Sequence, residues 1–295
     1  LQAGGSTHGS AGLQLAYEQA ASHFIRGGVN RVILCTDGDF NVGITSQGDL
    51  TRLIEQKAKS GVYLSVLGFG MGNLKDSTME KLADKGNGNY AYIDTLAEAR
   101  KVLVEQMSGT LITIAKDVKI QVEFNPARVA AYRLIGYENR LLHKEDFNDD
   151  TKDAGEIGAG HTVTALYELV PAGQSVGVPS VDPLKYQTPP QPAAPAQSDE
   201  LLHVKVRYKV PEGDTSQLIE TPVRDGGLTY PQASPDFKFA AAVAGFGMVL
   251  RDSPYKGSAN LEAVIELAEA GKGRDPGGYR AEFIELVNLT KQLGR

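Results

Sequence analysis

The stretch Arg31-Val-Ile-Leu-Cys-Thr-Asp-Gly-Asp-Phe-Asn41 decides the fold, because an unbroken apolar run from Val32 to Cys35 stops abruptly at Thr36-Asp37-Gly38. A run without polar alternation is the pattern of a strand covered by helices on both faces, as in a parallel sheet. Cys35 lies inside the run and reads as a buried, inert thiol. In an open α/β sheet, ligands bind beyond the carboxyl ends of the strands, which is where Asp37 falls. Taken alone, the same Asp-Gly pair is also an ordinary solvated turn.

The flanking sequence extends the α/β pattern in both directions. Upstream, Leu13, Tyr17, Ala20 and Phe24 recur at helical spacing, so a helix runs to about Arg26 and ends at Gly27-Gly28. It follows a glycine-rich loop in which Ser6 and Thr7 can cap it. Downstream, Leu50, Leu53, Ile54 and Lys57 mark a second helix, and Val62 to Phe69 a second buried strand. Ser77-Thr-Met-Glu80 has the capping-box pattern of a short helix stopped by Gly86. A third strand over Asn89 to Ile93 and an amphipathic helix over Leu96 to Met107 follow. Strands and helices alternating at this spacing predict a partial doubly wound parallel sheet with right-handed crossovers, a first domain over residues 1–114.

The period then changes from helical to alternating. Val118, Ile120, Val122 and Phe124 alternate with Lys119, Gln121 and Glu123, predicting a half-buried strand with the apolar set inward. Val129 to Tyr137, Val163 to Val170 and Leu202 to Val210 read the same way, so residues 115–233 are expected to form an antiparallel, β-sandwich-like region. Two insertions interrupt it. Glu145 to Glu156 is acidic and reads as a solvated loop, with a surface cation site as the lesser alternative and Arg133, Tyr137 and Arg140 as plausible partners. The proline-rich stretch 178–198 is expected to be extended and mobile, since its prolines cannot donate to a ladder or continue a helix. Residues 234–295 return to helical periodicity in three helices separated by Gly-rich turns.

Composition narrows the function. With 30 Lys+Arg against 36 Asp+Glu in 295 residues, the net charge of −6 supplies no basic stripe to replace phosphate counterions, which argues against nucleic acid as a partner. The longest apolar stretch, Phe239 to Leu250, is too short to span a bilayer, so no membrane-spanning segment is expected. A single cysteine rules out an intrachain disulfide framework.

Thr7 and Asp37 form the candidate metal pair. A hydroxyl in a glycine-rich turn before one helix and a carboxylate just past the neighbouring strand are oxygen ligands of the kind that Mg²⁺ takes. Gly4 and Gly5 would let the backbone approach closely.

Gly4-Gly-Ser-Thr-x-Gly-x-x-Gly-Leu13 followed by Val32-Ile-Leu-Cys-Thr-Asp-Gly38 resembles segments of a von Willebrand factor type A domain. The resemblance implies a divalent cation at a metal-ion-dependent adhesion site, with Thr7 and Asp37 standing where the family places its Thr and its later Asp. The family's Asp-x-Ser-x-Ser loop has no match in these 295 residues. The chain is therefore expected to begin within the domain, to bind Mg²⁺ weakly or not at all by itself, and to leave the Arg31 to Thr36 strand with an unpaired edge. Four further strings, Lys116-Asp-Val-Lys-x-Gln-Val-Glu-Phe-Asn-Pro126, Tyr132-Arg-Leu-Ile-Gly-Tyr-Glu-Asn-Arg140, Asp153-Ala-Gly-Glu-Ile-Gly-Ala-Gly-His161 and Phe239-Ala-Ala-Ala-Val-Ala-Gly-Phe-Gly-Met248, are similar to a bacterial family that joins a type A domain to a dedicated C-terminal region. That likeness implies a cell-envelope, periplasmic or extracellular location, with lipoproteins among its members.

Other motifs fail on spacing. Asp37-x-Asp39-x-Asn41 imitates an EF-hand loop but has Val42 and Gly48 where Gly and Glu are required, and Asp146-x-Asn148-x-Asp150 fails likewise. Gly5-Ser-Thr-His-Gly9 outlines a nucleophile elbow without the preceding strand. Gly68-Phe-Gly-Met-Gly72 lacks the spacing of a dinucleotide loop, and no two histidines fall at metal-ligand spacing. His161 is expected to support a turn by hydrogen bonding. The sequence thus points to a non-enzymatic module that binds a protein ligand offering an acidic side chain. The alternatives are a hydrolase using His161 or the acidic loop, and a structural envelope component with a vestigial metal site.

Overall fold

In the computed structural model, the structure describes residues 8–70, 74–137, 140–174 and 198–294. Helix α1 (Gly9–Ser22) leads into β1 (Arg31–Thr36), α2 (Gln47–Ala58), β2 (Tyr63–Phe69), α3 (Asp76–Lys85) and β3 (Tyr90–Ile93). The three strands are parallel in the order β1-β2-β3, with Val32 opposite Leu64 and Val66 opposite Tyr90. Between them they carry the β-branched and aliphatic residues that suit a covered sheet, and Leu64 and Val66 are fully buried. Leu13, Tyr17, Leu50, Ile54, Met79 and Leu82 from the three helices close over them as one core. Each such side chain, fully withdrawn from water, contributes about 1.5–3 kcal/mol.

The crossover turns need small residues. A Cβ at Gly88 would lie 1.9 Å from the Leu64 carbonyl oxygen, so only glycine lets the chain pass from α3 into β3. Helix α3 begins earlier than the capping box suggests: Asp76 is its first residue and Lys75 its cap, without a side-chain bond. After β3 the helix expected over Leu96 to Met107 is broken into α4 (Leu96–Arg100), a π-turn (Lys101–Glu105) and α5 (Met107–Leu111).

Two corrections concern β1. Val32 is buried, but Ile33 and Cys35 are exposed, so the thiol read as buried is not. The reason is position: among the described residues β1 lies at the edge of the sheet, and covering of both faces is reached only by the central β2.

Strands β4 (Thr113–Phe124), β5 (Val129–Ile135), β6 (Gly155–Gly158), β7 (Leu166–Pro171), β8 (Glu200–Lys209) and β9 (Gln217–Arg224) follow. They form a four-stranded sheet, β6-β4-β8-β9, and a two-stranded sheet, β5-β7. Alternation along β4 does not hold as the sequence suggests, because Lys119 is buried at 3 % exposure while Ile120 is 45 % exposed. The β4–β6 pairing carries register shifts on either side of Ala115, and Asp117 sits in the left-handed region at φ 51°. Such an irregularity resets which side chains face inward.

The chain ends in α6 (Pro235–Leu250), α7 (Leu261–Gly271) and α8 (Tyr279–Gln292), as the periodicity indicates. Ser234 and Asn260 cap the first two through their side-chain oxygens. Ala242, Phe246, Val264, Ala268, Ile284 and Val287 form their common core. By proximity, the chain divides into one unit of Leu1–Gln121, Leu142–Thr162 and Lys205–Ile219, and another of Val122–Leu141, Val163–Val204 and Glu220–Arg295. Of the proline-rich stretch 178–198, only Ser198 lies among the described residues.

Candidate functional site

Asp37 follows the last residue of β1, at the carboxyl edge of the parallel sheet. Its Oδ1 accepts the Asp39 backbone N–H at 3.0 Å, and Thr36 Oγ1 accepts that of Gly38 at 3.0 Å, so two side chains wind the loop on itself. The Asp37 carbonyl accepts the Lys75 N–H at 3.1 Å, tying the loop to the start of α3. Gly38, at φ 81°, leaves no room for a Cβ beside Lys75. Lys75 Nζ stands 3.6 Å from Asp39 across the exposed rim. The neighbouring loop is held the same way: Ser10 Oγ accepts the Ile44 N–H at 3.0 Å, and His8 Nδ1 caps α1 by accepting from Ala11 at 3.2 Å. Thr7 lies outside the described residues, as do Gly4, Gly5 and the end of the Gly68 to Gly72 loop.

A second polar cluster was not singled out by the sequence. One oxygen each of Asp117, Asp153 and Glu156 lie within 4.8 Å of one another. Such a trio can bracket a cation, but two of its members already face ammonium groups. Lys209 Nζ lies 2.7 Å from Asp117, and Lys85 Nζ 2.7 Å from Asp153. Arg31 approaches from β1, donating through Nη1 to Ser65 at 2.7 Å and through Nη2 to Thr113 at 3.1 Å. Burial pushes the Glu156 carboxyl up to about 9, with Asp153, Asp84 and Asp117 adding to the rise and Arg31 opposing it. The acid is therefore neutral at pH 7. Only the inverted face of β4, with a lysine on its inner side, could have betrayed this cluster, and alternation disguised it.

The acidic insertion, with Glu145 and Asp153 exposed, is solvated on its outer side but is tied down through its backbone. Buried Lys119 donates to the Asp146 carbonyl at 3.1 Å and to that of Asp149, while buried Lys209 donates to that of Asp150 at 2.7 Å. Arg207 adds a bond to Asn148 at 3.0 Å. Two of the three partners suggested for the loop are engaged elsewhere: Arg133 with Glu168 and over the Tyr255 ring, Tyr137 with the Thr164 carbonyl. His161 accepts the Gly158 N–H on Nδ1 at 3.4 Å, the turn-supporting role expected of it. It borders a shallow pocket with Glu105, Gln106, Gly109 and Thr162.

Among the described residues no helix is long and apolar enough to cross a membrane. Residues 1–106 match the von Willebrand factor type A domain family, and residues 109–293 match the family described as the C-terminal region of the uncharacterized protein YfbK. The uncharacterized protein YfbK of Escherichia coli (strain K12) is 49% identical over 290 residues, which are 98% of this chain and 49% of that protein, so the chain spans about half the length of that relative. The human COPII-coat protein Sec24c aligns with a TM-score of 0.34 at 9% identity, covering 88% of this chain and 34% of that one, a likeness too slight to bear on the fold. The match over most of the chain's length settles the lineage: this chain belongs to the family defined by the YfbK C-terminal region, carried here behind a von Willebrand factor type A domain.

Proposed function

We propose that the chain is a non-enzymatic, metal-dependent protein-binding module of the bacterial cell envelope. The observation that carries the reading is the position of Asp37: a half-buried carboxylate at the carboxyl end of a parallel strand, in a loop held by its own side chains and by Lys75. Type A domains commonly bind a divalent cation, and the described donors at this rim, the carboxylates of Asp37 and Asp39, are hard oxygens that fit Mg²⁺.

Asp37 and Thr7 are the residues that would hold the cation. When bound, it supplies an open coordination position for an acidic side chain of the partner. The remaining work falls to the chain. The Asp39 N–H orients the Asp37 carboxylate, the Lys75 N–H fixes the loop to α3, and the Lys75–Asp39 pair frames the entrance. Because Thr7 and Asp37 are a small donor set, the affinity of this chain alone for Mg²⁺ is expected to be low.

The test is retention of glutamate-bearing peptides by the immobilised chain in Mg²⁺ and in EDTA. The reading expects retention in Mg²⁺ only, and its loss in Asp37→Ala. Retention that ignores both EDTA and the substitution would contradict it.

A further inference from the structure

We propose that Glu156 is a proton-operated latch: protonated, its carboxyl group keeps β6 seated beside β4 and the Arg31 node, and on ionisation it releases β6 and the turn that follows. The geometry comes from the count of charges around one short strand. Asp117 on β4 and Asp153 just before β6 place oxygens within 4.8 Å of the Glu156 carboxyl. From α3 come Asp84, which also repels it, and Lys85, committed to Asp153 and 3.9 Å from Glu55. From β8 comes Lys209, committed to Asp117. From β1 comes Arg31, whose two terminal nitrogens are spent on Ser65 and Thr113. Tyr63 on β2 senses both Glu156 and Arg31, and Tyr17 on α1 senses Arg31. Helix α5, which also packs on β6, carries no titratable group, and His161 in the turn accepts the Gly158 N–H.

Glu156 Oε1 is buried without a hydrogen-bond partner. A neutral acid tolerates that far better than a carboxylate, which would add a negative charge to those of Asp117, Asp153 and Asp84 in a place where both lysines are already taken. The strand is also weakly held. It is four residues long, and its pairing with β4 is interrupted twice. Releasing it costs few ladder bonds, so charging one side chain can decide its position.

The direction of the pH effect follows. In the unfolded chain the carboxyl loses its proton at about pH 4.3. In the folded chain it keeps the proton to about 9. Folded protein therefore holds the extra proton between those values, and stability is full below the lower one and declines as pH rises toward the upper.

Two readouts on the whole chain test this. The first is the ¹³C carboxyl resonance of Glu156, assigned in the wild-type chain by through-bond correlation to its own side chain and backbone and followed from about pH 5 to 10. The latch requires it to move with a midpoint near pH 9. The second is hydrogen exchange of residues 155–162 in wild type against Glu156→Gln. The two should agree at about pH 4, and wild type should exchange progressively faster than the variant as pH rises toward about 9. A resonance that titrates in the ordinary carboxylate range overturns the proposal, and does so even if the variant fails to fold. Equal exchange in the two proteins at alkaline pH overturns it as well.

Discussion

Lys209 Nζ donates to Asp117 Oδ2 at 2.7 Å, with the two side chains only 9% and 17% exposed, and also to the Asp150 carbonyl at 2.7 Å. One ammonium thus closes a β4 irregularity and pins the acidic insertion. Lys209→Met should leave Asp117 as an uncompensated, largely buried charge and lower unfolding free energy by about 3–5 kcal/mol, as removal of one partner of a buried pair typically does. Adding Asp117→Asn to that variant should recover part of the loss, because the orphaned charge is then gone. Denaturant titrations of the single and double variants give the comparison.

Asp150 accepts from the Ser216 hydroxyl and, at 3.3 Å, from its N–H. Those bonds, led by the hydroxyl, hold its carboxyl below the usual range. A depressed carboxylate contributes stability that is present above its unfolded value and lost as pH falls through its folded one. Ser216→Ala should therefore shrink the difference in melting temperature between neutral and acid solution, while an unchanged acid limb would show that the bonds carry no linkage.

Gly271 closes α7 where α7 meets the start of α6. A Cβ there would fall 2.4 Å from the Phe239 nitrogen and 2.9 Å from the Pro235 carbonyl oxygen, both backbone atoms. Gly271→Ala should cost about 1–3 kcal/mol by overpacking, although alanine is the better helix former. Gly247 on α6 has nothing within 4 Å of its would-be Cβ, so Gly247→Ala should be neutral or stabilising. The pair of melting temperatures decides the matter.

Arg133 reaches Glu168 and lies with its guanidinium carbon 4.3 Å from the centre of the Tyr255 ring. Tyr255→Leu should cost about 0.5–1 kcal/mol, the size of a cation–π contact at a partly exposed site. Arg133→Lys should not restore it fully, since an ammonium cannot form the same flat stack while bonding Glu168. Chemical denaturation of the two variants measures both effects.

Periodicity made much of the architecture legible. The Val32 to Cys35 run and the Val62 to Phe69 run are parallel neighbours, and the three C-terminal helices start and stop within a few residues of their caps and glycines. What escaped had physical causes. Strand β6 has four residues and two are glycine, too little side chain for a pattern. Strand β9 is exposed along its whole length, so burial never imposed alternation on it. Lys119 faces inward because backbone carbonyls from another segment satisfy its charge, information that a local window does not contain. Exposure of Cys35 reflects which strands stand beside β1, again a property of the sheet rather than of the run. The position of Asp37 just past a strand end was legible because strand ends in parallel sheets have a defined address, whereas the carboxylates around Glu156 meet only after β4 and β6 have paired.

The most direct test of the central claim is paramagnetic line broadening of the ¹⁵N-labelled chain by Mn²⁺, an oxygen-seeking surrogate for Mg²⁺ that reports even weak binding. The amides of Thr36 to Asp39 should broaden first, excess Mg²⁺ should restore them, and Asp37→Ala should abolish the effect. Broadening centred on Asp117 and Asp153, or broadening at the β1 end that survives Asp37→Ala, would contradict that claim.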